Sequence, residues 1–445
     1  MKKPAFKQFA ISYGLSNGGG FMLIQATVAS YFTLFLTDTF GIPAGITSIL
    51  MFAVTLFDAV KDPFIGAVVD RTNTRFGRYR PYFLIFPFLF MIFSMLLFLN
   101  PKGLNVTQKL IYTAVFYILY GFALSFCTTS AQAVLPAQTT DNQERNFAVM
   151  FSTTCVAVSF TIASSFTTNF VTILGGYAPL MFLYGILGML SFWTLYRCST
   201  EQFLQPVTKR PISKDLRVIL GHRELYSVIV VWCMGSLGYG VMFSASTYYM
   251  LYYIARPELL SVYMLTLSIG ALVSMTIGLP FAMRLCRTAP KALIATQAMA
   301  AVCYAVLLLF GKHLPLLFVL SFLAAAVSSM QQGLLGILLN DMIDYIQLKD
   351  GLSLNGTLSA VKGFAYKFGT AFTSTIILAV LSVTGYEAGK IGGQSELVTS
   401  AINALRFIVP ILSAVILILC LLRYPIAKYD SQIAEMKKKM KGEIS

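Results

Sequence analysis

The sequence predicts an all-α integral membrane protein with twelve transmembrane helices. Of its 445 residues, 57% are hydrophobic and only 11% are charged, whereas soluble domains carry about 25% charged residues. Apolar segments of roughly 20 residues recur along the whole chain, and each can cross the hydrocarbon core of a bilayer. The predicted spans cover residues 10–37, 42–69, 81–99, 108–135, 147–172, 177–196, 225–254, 258–283, 290–311, 314–341, 356–385 and 398–424.

The longest polar interruption divides these spans into two groups of six. It reads RCSTEQFLQPVTKRPISKDLRVILGHRE and covers residues 197–224. Two six-helix halves joined by a charged linker are typical of the major-facilitator fold, in which pseudo-symmetric bundles rock around a site near the bilayer midplane. We therefore expect six-helix bundles at 1–196 and 225–424, a linker at 197–224 and a polar tail at 425–445.

The excess of basic residues is interpreted as a topology signal. Lys and Arg number 33 against 18 Asp and Glu, which gives a net charge of +15. Twelve spans put both termini on one side, and Lys and Arg are retained on the cytoplasmic side of membranes. The sequence therefore predicts a multi-pass protein of the cell inner membrane with both termini cytoplasmic. The bilayer is the expected partner, nucleic acid is not, and one chain is expected to work as a monomer.

Enzyme chemistry is disfavoured by the residue pattern. An intramembrane lipid enzyme would need a nucleophile–base pair or a metal cluster, but both histidines, His222 and His313, fall in predicted loops. The seven cysteines are scattered without a Cys-x-x-Cys pair, which predicts neither a disulfide framework nor a metal site. We expect no cofactor.

Three charges interrupt the second predicted span in the stretch LFDAVKDP. One charged residue at the centre of a bilayer costs about 2.5–3.5 kcal/mol on insertion scales. Asp58, Lys61 and Asp62 are spaced i, i+3 and i+4, so a helix carries them on one face and allows them to neutralise one another. That face should point into the bundle or a wet cavity. It marks either an ion or substrate path or an ion-pair cluster that only fastens span 2 to a neighbour.

A second intramembrane lysine, Lys367, lies in the middle of span 11 in the stretch GFAYKFGTAF. It needs a carboxylate partner as much as Asp58 does. The sequence therefore predicts a neutral network of Asp58, Asp62, Lys61 and Lys367 that bridges the two halves of the chain and can break and reform during transport.

The stretch GAVVDRTNTRFGRYRP after span 2 predicts a cytoplasmic gate. Gly66 would let span 2 approach a neighbouring helix closely. The carboxylate of Asp70 can accept charge-assisted hydrogen bonds from nearby arginines, although positive-inside charge without a gating role is the alternative. The predicted gate residues are Gly66, Asp70, Arg71, Arg75, Arg78 and, at the end of span 10, Asp344.

Isolated polar side chains within the spans are candidates for a substrate cavity, although such residues more often bridge helices. The tyrosines of STYYMLYY in span 7 suggest an interfacial aromatic belt, with a sugar-stacking platform as the alternative. The cavity candidates are Asn17, Gln25, Ser125, Thr128, Gln132 and Gln332.

Several motifs resemble those of the glycoside–pentoside–hexuronide:cation symporters, a family of the major facilitator superfamily that includes the melibiose carrier. They are FDAVKDPFIGAVVDRTNTRFGRYRPYFLI, NDMIDYIQLKDG after span 10 and AYKFGTAF in span 11, in the family's order along the chain. The resemblance implies secondary transport of a small glycoside, pentoside or hexuronide-like solute by alternating access. It also implies that Asp58 and Asp62 match the carboxylates that hold the coupling cation, and that Lys367 matches the lysine beside them.

The chain departs from this family pattern at several positions. An Asn that helps to bind sodium is replaced by Lys61, and a third carboxylate, on helix 4, is replaced by Thr128. The sugar-binding carboxylate of helix 1 would fall near Gly20 or Phe21, where no acid stands. The family's sugar-contacting Arg and Trp residues fall near Thr153, Gln132 and Gln332.

These departures change the expected coupling and substrate. Two unit charges of like sign 4 Å apart repel by about 4 kcal/mol at an effective dielectric of 20, so an ammonium at Lys61 opposes sodium. We expect coupling to protons through Asp58 or Asp62, or no coupling. The substrate would be a less polyhydroxylated glycoside, an anion such as a hexuronide, or an amphiphile such as a lysolipid.

Overall fold

The chain folds into helices. The structure is a computed structural model that describes residues 6–72, 74–139, 142–201, 217–219, 221–350, 355–422 and 424. In these residues no strand forms, and the only β-type pairing is an isolated bridge between Thr74 and Gly77.

Within these described residues, twelve helical segments are long and apolar enough to cross a membrane. Each coincides with a predicted span. The largest difference is in span 10, which continues as helix through the polar stretch NDMIDYIQLKD. In chain order, spans 1 to 12 are Phe6–Thr39, Ala44–Gly66, Arg80–Leu97, Val106–Gln138, Phe147–Leu174, Tyr177–Cys198, Tyr226–Tyr253, Pro257–Cys286, Ala289–Phe310, Leu314–Asp350, Thr357–Thr384 and Glu396–Leu422.

Some of the helices extend beyond these spans. Span 2 belongs to the helix Ala44–Arg71, span 5 to Asn142–Leu174 and span 11 to Asn355–Thr384. Span 10 is built from two helices, Leu314–Ser328 and Gln331–Asp350.

Among the described residues, three spans contain π-helical turns, and span 1 is also interrupted at Gly19, between the helices Phe6–Gly18 and Gly20–Leu34. The π-helical turns lie at Phe35–Thr39 in span 1, Tyr249–Tyr253 in span 7 and Ser274–Gly278 in span 8. Such turns are rare and occur frequently at functional sites. Two of these turns, Phe35–Thr39 and Tyr249–Tyr253, carry residues of the cluster around Asp38 that is described below.

The glycine run of span 1 allows close helix packing. A Cβ atom on Gly18 would lie 2.4 Å from the backbone of Cys155 in span 5, and one on Gly20 would lie 2.2 Å from the carbonyl oxygen of Tyr184 in span 6. These distances are far inside van der Waals contact, so larger residues would push span 1 away from both neighbours.

The helices group into two compact units. The first contains Met1–Thr208, Ser246–Ser268 and Ser374–Ile402, and the second contains Lys209–Ala245, Ile269–Thr373 and Asn403–Ser445. The first unit therefore includes ends of spans 7, 8, 11 and 12 as well as spans 1 to 6. Hydrogen bonds inside it join the Ser164 and Ser268 hydroxyls, 2.7 Å apart, and the Ser48 hydroxyl to the Thr375 carbonyl, 2.9 Å. The division at 197–224 expected from the sequence remains a prediction.

Candidate functional site

The charged residues of span 2 form a compact cluster with span 4. The Nζ atom of Lys61 lies 2.6 Å from Oδ1 of Asp58 and 3.3 Å from Oδ1 of Asp62. These three residues occupy one face of the helix Ala44–Arg71, as their spacing predicts. Gly121 and Ser125, one turn apart on span 4, complete the cluster. Lys61 donates hydrogen bonds to the carbonyl oxygen of Gly121, at 2.8 Å, and to Oγ of Ser125, at 2.6 Å.

Four oxygen atoms therefore surround one buried ammonium group. Only 5% of the Lys61 side chain is exposed, compared with 13% for Asp58 and 35% for Asp62. An ammonium has three hydrogens, and the three shorter contacts use them; the contact to Asp62 is longer. The Ser125 hydroxyl connects Lys61 to Asp62. It accepts a hydrogen bond from Lys61 and lies 2.7 Å from Oδ1 of Asp62, to which it can donate one. Two carboxylates and one ammonium leave the cluster a formal charge of −1.

Gly121 is the residue that makes room for this cluster. A Cβ atom at this position would lie 2.3 Å from Oδ1 of Asp58 and 3.5 Å from Cε of Lys61. Sequence reasoning missed Gly121, although an isolated glycine within an apolar helix, in LYGFALS, indicates a close approach. Ser125 was predicted to line a substrate cavity, but its hydroxyl belongs to the ion cluster.

A second polar cluster, the Asp38 clasp, joins span 1 to span 7 and to the loop after span 11 inside the first unit. Its members are Thr37, Asp38, Tyr248, Tyr252 and Tyr386. The Asp38 carboxylate accepts hydrogen bonds from Tyr252 through Oδ2, and from Thr37 and Tyr386 through Oδ1, both at 2.7 Å. The Thr37 and Tyr248 hydroxyls lie 3.2 Å apart. Burial and then the charge of Asp38 raise the pKa of Tyr386, so its hydroxyl stays protonated at neutral pH and donates.

The Asp38 clasp corrects the interpretation of the tyrosines in span 7. An interfacial belt would expose them to the lipid headgroups, but Tyr248, Tyr249 and Tyr252 are buried. The belt prediction is therefore wrong for these three residues, because the hydroxyls of Tyr248 and Tyr252 have partners within the protein. Asp38 itself was not singled out from the sequence, although a carboxylate in the apolar stretch FLTDTFG is a signal of the same kind as Asp58.

We expect Asp38→Ala to destabilise the protein, because it leaves the buried Tyr252 hydroxyl without its acceptor. A buried group that loses its partner costs about 1–3 kcal/mol. Thermal unfolding of the purified protein in detergent measures this loss. Tyr253→Phe is the matched control, because Tyr253 is on the same π-helical turn and is not one of the hydrogen-bond donors to Asp38 given above. An Asp38→Ala midpoint equal to that of the parent would show that the clasp contributes nothing to stability.

The predicted gate after span 2 is only partly described. The side chains of Asp70 and Arg71 lie outside the described residues, so their pairing remains a prediction. Arg75 is exposed and stacks over the ring of Phe76 at 4.7 Å. No atom of the described residues lies within 4 Å of a Cβ placed on Gly66. The close approach of span 2 to a neighbouring helix at Gly66 therefore stays a prediction.

Glu201, which was not predicted from the sequence, binds the backbone at the start of span 3. It accepts backbone hydrogen bonds from Arg78, Tyr79 and Arg80 at 2.6–2.9 Å. A carboxylate at the start of a helix satisfies amide groups that the helix leaves unpaired and complements the helix dipole. Gly77 fits against it with a φ of +116°, and a Cβ there would lie 2.7 Å from the carboxylate.

The other predicted residues are distributed over both units. Asn17 donates to the Tyr13 carbonyl and Thr128 to the Leu124 carbonyl, each inside its own helix, so these bonds satisfy the side chains locally. Gln25 is half-buried and Gln132 is exposed.

In the second unit, Lys367 is half-buried in span 11, and Asp344 is half-buried in span 10. The four-charge network that includes Lys367 stays a prediction, and so does the gating role of Asp344. Gln332, in span 10, lies beside Tyr366.

Twelve apolar helices with a buried ion cluster, all within the described residues, define a polytopic membrane protein. The chain belongs to the family described as MFS/sugar transport protein, which matches residues 13–428. The predicted major-facilitator fold and the resemblance to sugar symporters are thereby confirmed.

Three known proteins illustrate the relationship. The chain is 30% identical to the uncharacterized symporter YnaJ of Bacillus subtilis, over 94% of this chain and 92% of the relative. It is 26% identical to the isoprimeverose transporter of Lactiplantibacillus pentosus, over 93% and 88%. The crystal structure of a D-xylose–proton symporter superposes with a TM-score of 0.61, at 16% identity, over 92% of this chain and 95% of that one. The last match shows the fold alone.

Proposed function

We propose that the protein moves a small glycoside-type solute across the cytoplasmic membrane by alternating access, with protons as the coupling ion. The observation that carries the proposal is the shell of four oxygen atoms around Nζ of Lys61. Carboxylate, hydroxyl and carbonyl oxygens are the ligands of hard metal cations. Here a covalently attached ammonium occupies their centre, and a second cation would meet its repulsion.

Asp62 is the carboxylate best placed to exchange a proton. It is the most exposed member of the cluster and makes the longest contact to Lys61, whereas Asp58 is more deeply buried and holds Lys61 at 2.6 Å. A proton taken by Asp62 from water on one side of the membrane changes the formal charge of the cluster from −1 to 0. Release of the proton to the other side restores the charge of −1. The neutral and the charged cluster are the two states that solute binding can distinguish.

The solute class is supported by the family and by a relative whose name specifies a sugar, the isoprimeverose transporter. An amphiphile such as a lysolipid is the alternative substrate on the same fold, and nothing in the comparisons favours it. We further propose that the protein works as a monomer and has both termini on the cytoplasmic side, as the distribution of basic residues suggests.

Transport is tested by counterflow in proteoliposomes with labelled glycosides, pentosides, hexuronides and lysolipids. Counterflow needs no coupling ion, so it separates the identity of the solute from the chemistry of the cluster. Exchange of a glycoside, pentoside or hexuronide supports the proposal. Exchange of lysolipids alone would replace it with the amphiphile alternative.

Coupling is tested with Asp62→Asn. We expect this variant to keep counterflow, because Asp58 still neutralises Lys61, but to lose accumulation driven by a proton gradient. Solute-induced alkalinisation of a weakly buffered medium is the direct readout. Glu258→Gln, which makes a carboxylate-to-amide change at an exposed residue outside the cluster, is the control. Proton-driven accumulation by Asp62→Asn would reject the role of Asp62 and leave the cluster as a fastening of span 2 to span 4.

A further inference from the structure

Hydrogen bonds inside the first unit join spans 1 to 6 to spans 7 to 12 at one end of the helices. Because successive spans alternate in direction, spans 1, 5, 7 and 11 end, and spans 2 and 8 begin, on the side of the membrane away from the N-terminus, here called the far side. The Asp38 clasp joins the far-side ends of spans 1 and 7. The Ser164–Ser268 and Ser48–Thr375 hydrogen bonds join the far-side halves of spans 5 and 8 and of spans 2 and 11. In alternating access these pairs must part when the far side opens.

The loop after span 11, residues 385–393, is held to the Asp38 clasp at two points. The Tyr386 hydroxyl donates to Oδ1 of Asp38 at 2.7 Å. The backbone N–H of Gly389 donates to the Tyr252 hydroxyl at 3.2 Å, and that hydroxyl donates to Asp38. Among the described residues, the other hydrogen bonds of this loop stay within the loop and the residues that flank it. Every residue of the loop except Tyr386 is exposed, so the clasp is what holds the loop to the helices.

Asp38 supplies much of the attraction at this attachment. Among the far-side hydrogen bonds named above, only those to Asp38 involve a charged group, and a charged acceptor makes a hydrogen bond roughly twice as strong as a neutral one. A cavity of about 230 Å³ lies beside the clasp and is lined by Thr37 and Tyr386, among others. A water molecule takes about 30 Å³ in the liquid, so several waters can hydrate the carboxylate when Tyr386 leaves it. The loop can therefore detach without leaving the charge of Asp38 unsolvated.

We propose that residues 385–393 form a strap that holds the far side closed, with Asp38 as its point of attachment. The strap is attached in the structure. Release of Tyr252 and Tyr386 from Asp38 frees it and lets spans 1 and 7 separate at their far-side ends, which face the outside in the proposed orientation. This inference rests on the proposed function, because it assumes alternating access. It gives the Asp38 clasp a conformational role in addition to its contribution to stability.

The experiment measures how fast N-ethylmaleimide reacts with a cysteine that the far-side contacts bury. Ser268→Cys supplies this cysteine, since Ser268 is 2% exposed and pairs with Ser164 of span 5. It is combined with Tyr386→Phe, which removes only the hydroxyl of the strap, or with Asp38→Asn, which removes the charge. Loss of a hydrogen bond to a charged group changes an equilibrium constant by about tenfold or more. Because the reaction rate follows the fraction of open molecules, both combinations should react about tenfold faster than Ser268→Cys alone in purified protein in detergent.

Two further variants are matched controls that leave the clasp in place. Lys390→Gln breaks the exposed ion pair between Lys390 and Glu387 in the same loop, which spans 2.9 Å. Tyr253→Phe removes a hydroxyl from the π-helical turn that carries Tyr252. Combined with Ser268→Cys, both should react at the rate of Ser268→Cys alone. The same variants without Ser268→Cys account for the reaction of the native cysteines.

The outcomes separate this inference from the proposed function. An unchanged rate in Tyr386→Phe would overturn the strap, and so would an equal acceleration in Lys390→Gln, because that pattern indicates general loosening of the loop. Tyr386→Phe keeps the ring in place, so it decides the question even if Asp38→Asn does not fold. Failure of every solute in the counterflow panel would overturn the proposed transport, whereas the labelling rates are measured without solute and test the strap alone.

Discussion

Lys61→Asn is expected to convert the protein into one whose transport responds to sodium. The substitution removes the ammonium that fills the oxygen shell and supplies an amide oxygen in its place. Asp58, Asp62 and Ser125 then offer oxygen ligands to a hard cation without a competing positive charge. Counterflow and sodium-driven accumulation in proteoliposomes measure the change. If Lys61→Asn is active but its transport does not respond to sodium, the idea that Lys61 takes the place of a coupling cation is rejected.

Removal of Lys61 without a replacement polar group should destabilise the protein. Lys61→Met removes the ammonium that pairs with the largely buried Asp58. Breaking a buried ion pair typically costs about 3–5 kcal/mol, which is near the upper end for point mutations. The double variant Asp58→Asn/Lys61→Met removes both charges of the shortest contact, so it should be more stable than Lys61→Met alone. Thermal unfolding distinguishes the two. Lys102→Met, at an exposed loop position, is the control. Equal unfolding midpoints for Lys61→Met, the double variant and Lys102→Met would show that the Asp58–Lys61 pair does not contribute to stability.

Gly121→Ala is the second substitution expected to have a large effect. Its Cβ would overlap Oδ1 of Asp58, so either the carboxylate or span 4 must move. Overpacking of a tight interior typically costs about 1–3 kcal/mol. Because the displaced carboxylate is the one that holds Lys61 most closely, we also expect proton-coupled accumulation to fall to the background level.

Gly66→Ala provides the matched comparison for Gly121→Ala. Both glycines lie within helices, and the Cβ of Gly66→Ala meets no described atom within 4 Å. Alanine is favoured over glycine in a helix by about 1 kcal/mol, so stability should be unchanged or slightly higher and transport should persist. Thermal unfolding and counterflow on the two variants give the contrast. Normal coupling in Gly121→Ala would show that the Asp58–Lys61 contact is not needed in its observed geometry.

The fold could be predicted because its main signal is local. Each span is an apolar run long enough to cross a bilayer, and such a run is visible without knowledge of its neighbours. The contacts of Lys61 with Asp58 and Asp62 were predictable for the same reason, since helical spacing alone brings the three residues together. The parts of the cluster on span 4 were not. Gly121 and Ser125 meet span 2 only because the two helices pack, and sequence spacing does not encode that packing.

The Asp38 clasp was missed for a related reason. Its partners lie 214 and 348 residues further along the chain, so no local pattern connects them. Tyrosine also has an apolar ring and a polar hydroxyl, which suits a lipid interface and a buried hydrogen bond equally well. The repeated tyrosines of span 7 therefore could not distinguish between the two environments.

The same separation affects how the protein is made. Ribosomes add about 5–20 residues per second, so Tyr252 is synthesised roughly 10–40 s after Asp38, and Tyr386 roughly 20–70 s after it. Span 1 is among the first segments to enter the membrane. Its Asp38 carboxylate cannot accept the hydrogen bonds of Tyr252 and Tyr386 until span 7 and the loop after span 11 have been synthesised. The first compact unit therefore cannot be completed during synthesis of the N-terminal half, and its last hydrogen bonds form only when most of the chain has been inserted.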